Sequence, residues 1–310
     1  MYYPYLRGRQ FELIALREYA KVKGNNNNII PIIEPVRTSF NSIKIALPIL
    51  IANDVKFALI MNPILGDFKT ENTNSAFDLI NNNLKDELES ISSWIPTFYV
   101  SNNYKQINDI ITKHQLVNVM LMCSETVDST DPDFISLTQL KNVKAIVSKE
   151  YRSLKRAFSN LAFIRLDDKF KAQKRNIDYL PLSEEKFTEE NLFYEEDGFK
   201  GFSDYTPLNS DFTEGGSTPY SVAIHLTYKK SNREVWIRHF ASQKNSDNNS
   251  DIQGKFAEAA EKAVSFIKEA HLTTNAALEL VDYFEKAKYP GLGMLKKITI
   301  KNHLELMNNN

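Results

Sequence analysis

The chain has 310 residues, 42% hydrophobic and 25% charged, as in an ordinary globular protein, and its length suits two average domains or one barrel-sized domain. Lys+Arg (38) and Asp+Glu (39) cancel to a net charge of -1, which gives no general electrostatic signal for nucleic acid or membrane and leaves room only for a local basic patch. One cysteine, Cys123, excludes an internal disulfide and a Cys-rich zinc site; it closes an apolar run and reads as a small buried hydrophobe.

The opening segment 1–7 has no apolar stretch followed by small residues, so no signal peptide is expected. The longest apolar stretch, 43–55, is broken by Lys44, Pro48, Asn53 and Asp54 and is too short to span a bilayer. The cytoplasm is the expected location.

In chain order, residues 10–23 carry Phe11, Ile14, Ala15, Tyr19 and Val22 at helical spacing, with Gly24 as a stop. Apolar runs then recur at 29–34, 57–62, 95–100, 117–122, 143–148 and 161–167, more weakly at 199–204, and again at 221–228 and 234–240. Runs of this length suit strands buried on both faces of a parallel sheet. Helical patterns at 75–91 and 104–114 lie between them. Alternation of this kind, about eight times in such a chain, indicates a β/α (TIM-like) barrel as a single domain over 1–310. An open doubly wound sheet is the alternative. The last two runs read as a β-hairpin around Ser231-Asn232, and helices over 253–310, including 253–270 and 275–288, are expected to pack on the barrel. Residues 169–198 read as an insert or lid, with lysines and Arg175 early and glutamates late; the Asn-rich pieces 25–28, 245–250 and 308–310 read as turns and a tail.

In a β/α barrel, chemistry gathers where strands end. Polar residues at those ends are Glu34, Asn62, Ser101, Ser124, Ser148 with Lys149, Asp167 and Asp204. Glu34 follows four apolar residues and precedes Pro35; a carboxylate there can bind a metal, act as a base or cap a loop. Asp167 and Asp168 point to opposite faces by the period of two, and Asp167 shares its face with Arg165, an alternative ion-pair partner. The string Gly201-Phe-Ser-Asp-Tyr205 groups hydroxyl, carboxylate and phenol behind a glycine that permits close approach or a bulge. Arg7-Gly8-Arg9, before the first helix, suits a phosphate or carboxylate. His225 and His239 lie on the two hairpin arms. A two-residue turn pairs His225 with Arg238; a three-residue loop, 231–233, pairs it with His239. His114, His271 and His303 read as helical and exposed. No phosphate loop, Gly-x-Gly-x-x-Gly, His-Glu-x-x-His or Gly-x-Ser-x-Gly motif is present.

Four strings, Tyr5-Leu-Arg-Gly-Arg-Gln-Phe-Glu-Leu-Ile-Ala-Leu-Arg17, Ile30-Pro-Ile-Ile-Glu-Pro-Val36, Gly201-Phe-Ser-Asp-Tyr205 and Ile224-His-Leu-Thr-Tyr228, fall in the order in which they resemble the Beta protein family of phage satellites and bacterial mobile elements. The resemblance implies a role in phage–host conflict beside a protein partner encoded nearby, and brings no catalytic residues with it. The expected function is therefore a mobile-element or anti-phage defence protein with a polar pocket at the barrel mouth. The alternative is a metal-assisted phosphodiesterase or related hydrolase. In that reading Glu34, Asp167 and Asp204 hold a divalent cation and His225 acts as acid or base. Arg7, Arg9, Asn62, Lys149, Tyr205, Tyr228 and His239 complete the substrate-binding candidates. Metal identity stays open, nucleic acid is not indicated by net charge, and no membrane partner is expected.

Overall fold

The computed structural model describes every residue except 89–93, 216–217, 245 and 310. The expected helix end at Ile91 and parts of two turn-and-tail segments, Asn245 and Asn310, therefore lie outside the described residues. The chain forms two compact units. The first comprises Met1–Leu13, Asn27–Asp167 and Phe193–Asp204; the second comprises Ile14–Asn26, Asp168–Leu192 and Tyr205–Asn310.

The first unit is a β/α barrel. Its eight strands are β1 (Tyr5–Arg7), β2 (Ile32–Glu34), β3 (Phe57–Ile60), β4 (Trp94–Val100), β5 (Val119–Cys123), β6 (Val143–Ser148), β7 (Ala162–Asp167) and β9 (Gly201–Asp204), in that order and all parallel. Helices α2 (Asn41–Ala52), α3 (Thr73–Leu88), α4 (Tyr104–Lys113), α5 (Pro132–Thr138) and α6 (Arg152–Ala157) connect them. A bridge between Tyr2 and Phe202 brings the two end strands together, with the Tyr3 amide donating to the Phe202 carbonyl at 2.8 Å. The ring is thus nearly closed. The first strand, only three residues long, lies where the sequence suggested a segment leading into a helix, while the 221–228 run leaves the barrel altogether. A run as short as Tyr-Leu-Arg carries no periodic signal of its own.

The pairing register decides which side chains face inward. Followed round the ring, Tyr5 pairs with Ile32, Ile32 with Ala58 and Ala58 with Ile95. Farther on, Thr97 pairs with Met120, Met120 with Ala145, Ala145 with Ala162, and Ile164 with Gly201. The alternate residues form the other face, which the helices cover: Phe98 meets Phe77 of α3 at 6.2 Å, and Arg165 lies 5.7 Å from the ring of Tyr151. The inner face therefore holds Tyr5, Arg7, Ile32, Glu34, Thr97, Tyr99, Met122, Val147, Leu166 and Ser203. Gly201 is a close-approach glycine. A methyl group there would sit 2.5 Å from Cε2 of Tyr3 and 2.8 Å from the Met1 carbonyl.

The second unit centres on an antiparallel sheet of β10 (Ala223–Lys229), β11 (Val235–Ala241) and β8 (Glu184–Thr188), in that order. Its helical residues belong to the C-terminal half of α1 (Gln10–Val22), most of α7 (Glu190–Phe193), α8 (Ile252–Glu269), α9 (Asn275–Glu285) and α10 (Leu292–Asn308). Ile224, Leu226, Tyr228 and Phe240 pack against Phe256, Ala260, Phe266 and Leu280, so the C-terminal helices close over this sheet. The edge of β10 is sealed by α10: Thr299 Oγ1 donates to the His225 carbonyl at 3.0 Å and Asn302 Nδ2 to that of Thr227 at 2.9 Å. The 168–192 stretch, read from sequence as an insert or lid, supplies the third strand of this sheet. Thr274 and Asp251 cap α9 and α8 by accepting from Ala277 and Gly254 amides. Among the described residues no helix is long and apolar enough to cross a membrane.

Candidate functional site

Arg7 and Glu34 end neighbouring strands, pair in register and face the barrel interior, both buried. Tyr5, two residues below Arg7, donates its phenol to Glu34 Oε2, while the Ile64 amide donates to Oε1 at 3.1 Å. Burial pushes the Glu34 carboxyl above its ordinary range; those two bonds, the Arg7 charge and the Leu65 amide oppose the shift without cancelling it. Tyr99 belongs to the same face. Burial and then the Glu34 charge raise its phenol. Asn62 continues the ladder beyond β3, with Nδ2 donating to the Tyr99 carbonyl at 2.8 Å and Oδ1 accepting from the Tyr99 amide at 2.7 Å. Ser203 is inward-facing and 1% exposed, and its hydroxyl has no hydrogen-bond partner among the described residues. A buried hydroxyl without a partner is uncommon and calls for an explanation. Beside the mouth, the ends of β3 and β4 open into a polar cleft of about 240 Å³ lined by Tyr99, Asn102, Asn103 and Thr73.

The other sequence candidates lie elsewhere. Asp167 and Asp204 pair with each other in register on the helix-facing side, opposite to Glu34. Asp204 Oδ1 accepts from the buried Tyr2 phenol at 2.6 Å, and Asp167 Oδ2 lies 3.0 Å from Arg165 Nε. The three carboxylates therefore do not converge, because alternation along the strands sends them to opposite faces. Among the described residues no group of three or more His, Cys, Asp or Glu side chains is placed to hold a metal ion. The hydrolase alternative thus lacks its assembled metal-ligand set. Arg9 is half-buried at the start of α1, and Lys149 is half-buried just beyond β6. Tyr205, buried, belongs to the second unit; Tyr228 is buried in that unit's core, 4.9 Å from Phe266. The inner-face phenols Tyr5 and Tyr99 escaped the sequence reading. The period of two shared by Tyr5 and Arg7 was the available signal.

In the second unit the hairpin adopts the three-residue loop: Lys230 N donates to the Glu234 carbonyl at 3.1 Å, and Arg233 takes φ 67°. His225 and His239 therefore face each other, Nδ1 to Nδ1, at 2.7 Å. One proton must lie between those nitrogens, so at most one of the two rings can be an imidazolium. Glu185 Oε1, 3.5 Å from His239 Nε2, favours the Nε2–H form of His239, and His225 then donates. Tyr179 and Phe170 cover both rings. Burial, then the neighbouring imidazole, pushes His225 down to about 3; burial also lowers His239, against the pull of Glu185. His303, read from sequence as exposed, is wholly buried on α10, with Nδ1 3.1 Å from Thr227 Oγ1, and burial pushes it down to about 3.

These shifts predict a specific acid sensitivity. Between the folded pKa near 3 and the unfolded value near 6.5, the unfolded chain binds the extra proton, so stability is full above pH 6.5 and falls as the pH drops. At pH 5 the loss is about 2 kcal/mol for a wholly buried imidazole such as His303. Urea midpoints should fall between pH 7 and pH 5, before most carboxylates titrate. A flat profile across that interval contradicts the prediction.

The fold and the inner face define a β/α barrel that buries Arg7, Glu34 and Ser203 on the inner face at the C-terminal ends of its strands. Compared with family models, curated proteins and solved structures, the chain matches none of them.

Proposed function

We propose that the protein serves a mobile genetic element or an anti-phage system, binding a small polar anion at the mouth of its barrel and acting through a protein partner encoded beside it. The observation that carries the ligand reading is the buried inner-face array: the Ser203 hydroxyl without a partner, on the same face as Arg7 and Glu34. Arg7 stands in register beside Glu34, whose carboxyl burial pushes above its ordinary range, and offers a guanidinium to an oxyanion. Phenols and a hydroxyl add hydrogen bonds for an oxyanion. The biological setting rests on the four strings that resemble the Beta protein family.

The ligand reading is tested by calorimetric titration of the purified protein with inorganic phosphate and with succinate. Saturable binding of at least one is expected. Ser203→Ala should weaken that binding while shifting unfolding by no more than about 0.5 kcal/mol, because the hydroxyl has no bond to lose. Failure of both anions to bind overturns the reading. The setting is tested separately. The neighbouring gene product should co-purify with the chain, and deletion of the gene should lower phage resistance; unchanged resistance rejects that role.

A further inference from the structure

The basic start of the 168–192 stretch belongs to the second unit. Lys169 lies 3.5 Å from Glu190, Lys171 lies 2.8 Å from Glu185, and Arg175 lies 2.7 Å from Asp178. Lys174 is exposed. Together with Arg175 it lines a cleft of about 550 Å³ that lies wholly within the second unit. That volume falls inside the range of small-molecule sites. Ile177, Pro219, Tyr220 and Asp247 also line it. Tyr220 is 57% exposed, an uncommon state for a large aromatic residue, and it lines the cleft together with Pro219 and Ile177.

A plain anion would engage the two cations and leave the aromatic wall uncovered. An apolar ring would cover that wall and make no use of Lys174 or Arg175. A molecule with a flat ring, hydroxyls and a phosphate matches all of these groups. We propose that this cleft binds a nucleotide unit. The base stacks on Tyr220 beside Pro219 and Ile177, Lys174 and Arg175 hold the phosphate, and Asp247 accepts hydrogen bonds from the ribose hydroxyls. Asn248 Nδ2 donates to Asp247 Oδ1 at 3.0 Å and so orients that carboxylate. A free nucleotide and the end of a single-stranded nucleic acid offer the same chemistry. Near-neutral net charge does not oppose this reading, since the site needs only a local pair of cations.

The test titrates the full chain with AMP, dAMP, inorganic phosphate and a 5′-phosphorylated single-stranded RNA hexamer. AMP or the hexamer should bind saturably, and phosphate alone more weakly than either. The tighter of the two identifies the source. Tyr220→Ala should weaken binding about tenfold, and Lys174→Gln about fivefold. Both side chains are exposed, so both variants should unfold as the unaltered protein does. Because Arg7→Gln removes the anion contact proposed for the barrel, AMP or hexamer binding that persists in Arg7→Gln and weakens when Tyr220→Ala is added belongs to the cleft, which separates the two sites. Weaker binding of dAMP supports the Asp247 contact, and equal binding overturns it. Absence of binding by both AMP and the hexamer, or full affinity in Tyr220→Ala and Lys174→Gln, overturns the proposal.

Discussion

Replacing Lys297 with methionine is expected to destabilise the protein by about 2 kcal/mol in urea unfolding, because it removes the buried cation that two half-buried carboxylates share. Lys297, on α10, is 0% exposed. Its Nζ lies 2.6 Å from Glu279 Oε2 and 3.0 Å from Glu18 Oε2. Lys301, one turn on, reaches Glu18 at 2.7 Å and Glu279 only at 3.5 Å. The network ties α1, α9 and α10 together within the second unit. Burial alone would raise the Glu18 carboxyl, yet hydrogen bonds from Lys301 and Lys297 hold it below its ordinary range. With methionine at 297, half-buried Glu279 has Lys301, at 3.5 Å, as its remaining cation. The second change Glu279→Leu should restore more than half of the loss, since it removes the stranded charge. A loss below about 1 kcal/mol in the single variant would show that the network carries little of the unit's stability.

Gly66→Ala is expected to cost about 3 kcal/mol and to disturb the inner face of the barrel as well. Gly66 has φ +62°, where an L side chain is strained, and a methyl group there would lie 2.0 Å from the Val36 carbonyl oxygen. That contact is with backbone and cannot be relieved by a rotamer change. The loop around Gly66 is pinned on both sides: Asp67 accepts from the Thr38 amide at 2.9 Å, and the Ile64 amide donates to Glu34. Moving the loop removes a donor from a buried carboxyl already raised by burial. Weaker anion binding should therefore accompany the lower urea midpoint. A variant as stable as the unaltered protein would contradict the geometry at this turn.

The barrel was legible because its inner strands are buried on both faces and read as unbroken apolar runs, from 57–62 to 161–167. What failed to show were strands whose identity comes from partners. Tyr5–Arg7 is too short for a pattern, and Glu184–Thr188 reads as a charged segment because it lies at a sheet edge, where glutamate and lysine are tolerated. On α1 the expected stripe through Phe11, Ile14, Ala15, Tyr19 and Val22 is only partly buried: Ala15 and Tyr19 are buried together with Leu13, Leu16 and Ala20, while Val22 is 45% exposed. The helix is apolar on more than one side, so spacing alone did not choose its core face. The polar run of α10 concealed a buried one. Lys297, Asn302 and His303 look like a solvated face until their partners Glu279 and Thr227 are known.

At the site, strand ends supplied a list of polar residues but not the faces they take. Arg7 and Glu34 emerge together because adjacent parallel strands place them in register. Asp167 and Asp204 are equally polar and equally terminal, yet one step of alternation turns them to the helices. Period-two parity was already visible for Asp167 with Arg165. Relating that parity to Glu34 required the register of every strand between them. The histidine pair depended likewise on one residue of loop length, which Arg233 supplies by adopting positive φ.

Anion binding on the inner face of the barrel is tested most directly by calorimetric titration of the better-binding anion into the unaltered protein, Arg7→Gln and Asp167→Asn. The expected result is at least about tenfold weaker binding in Arg7→Gln with unchanged affinity in Asp167→Asn, since only the first side chain faces the barrel interior. Equal affinity in all three proteins, or a loss in Asp167→Asn to match that in Arg7→Gln, would contradict it.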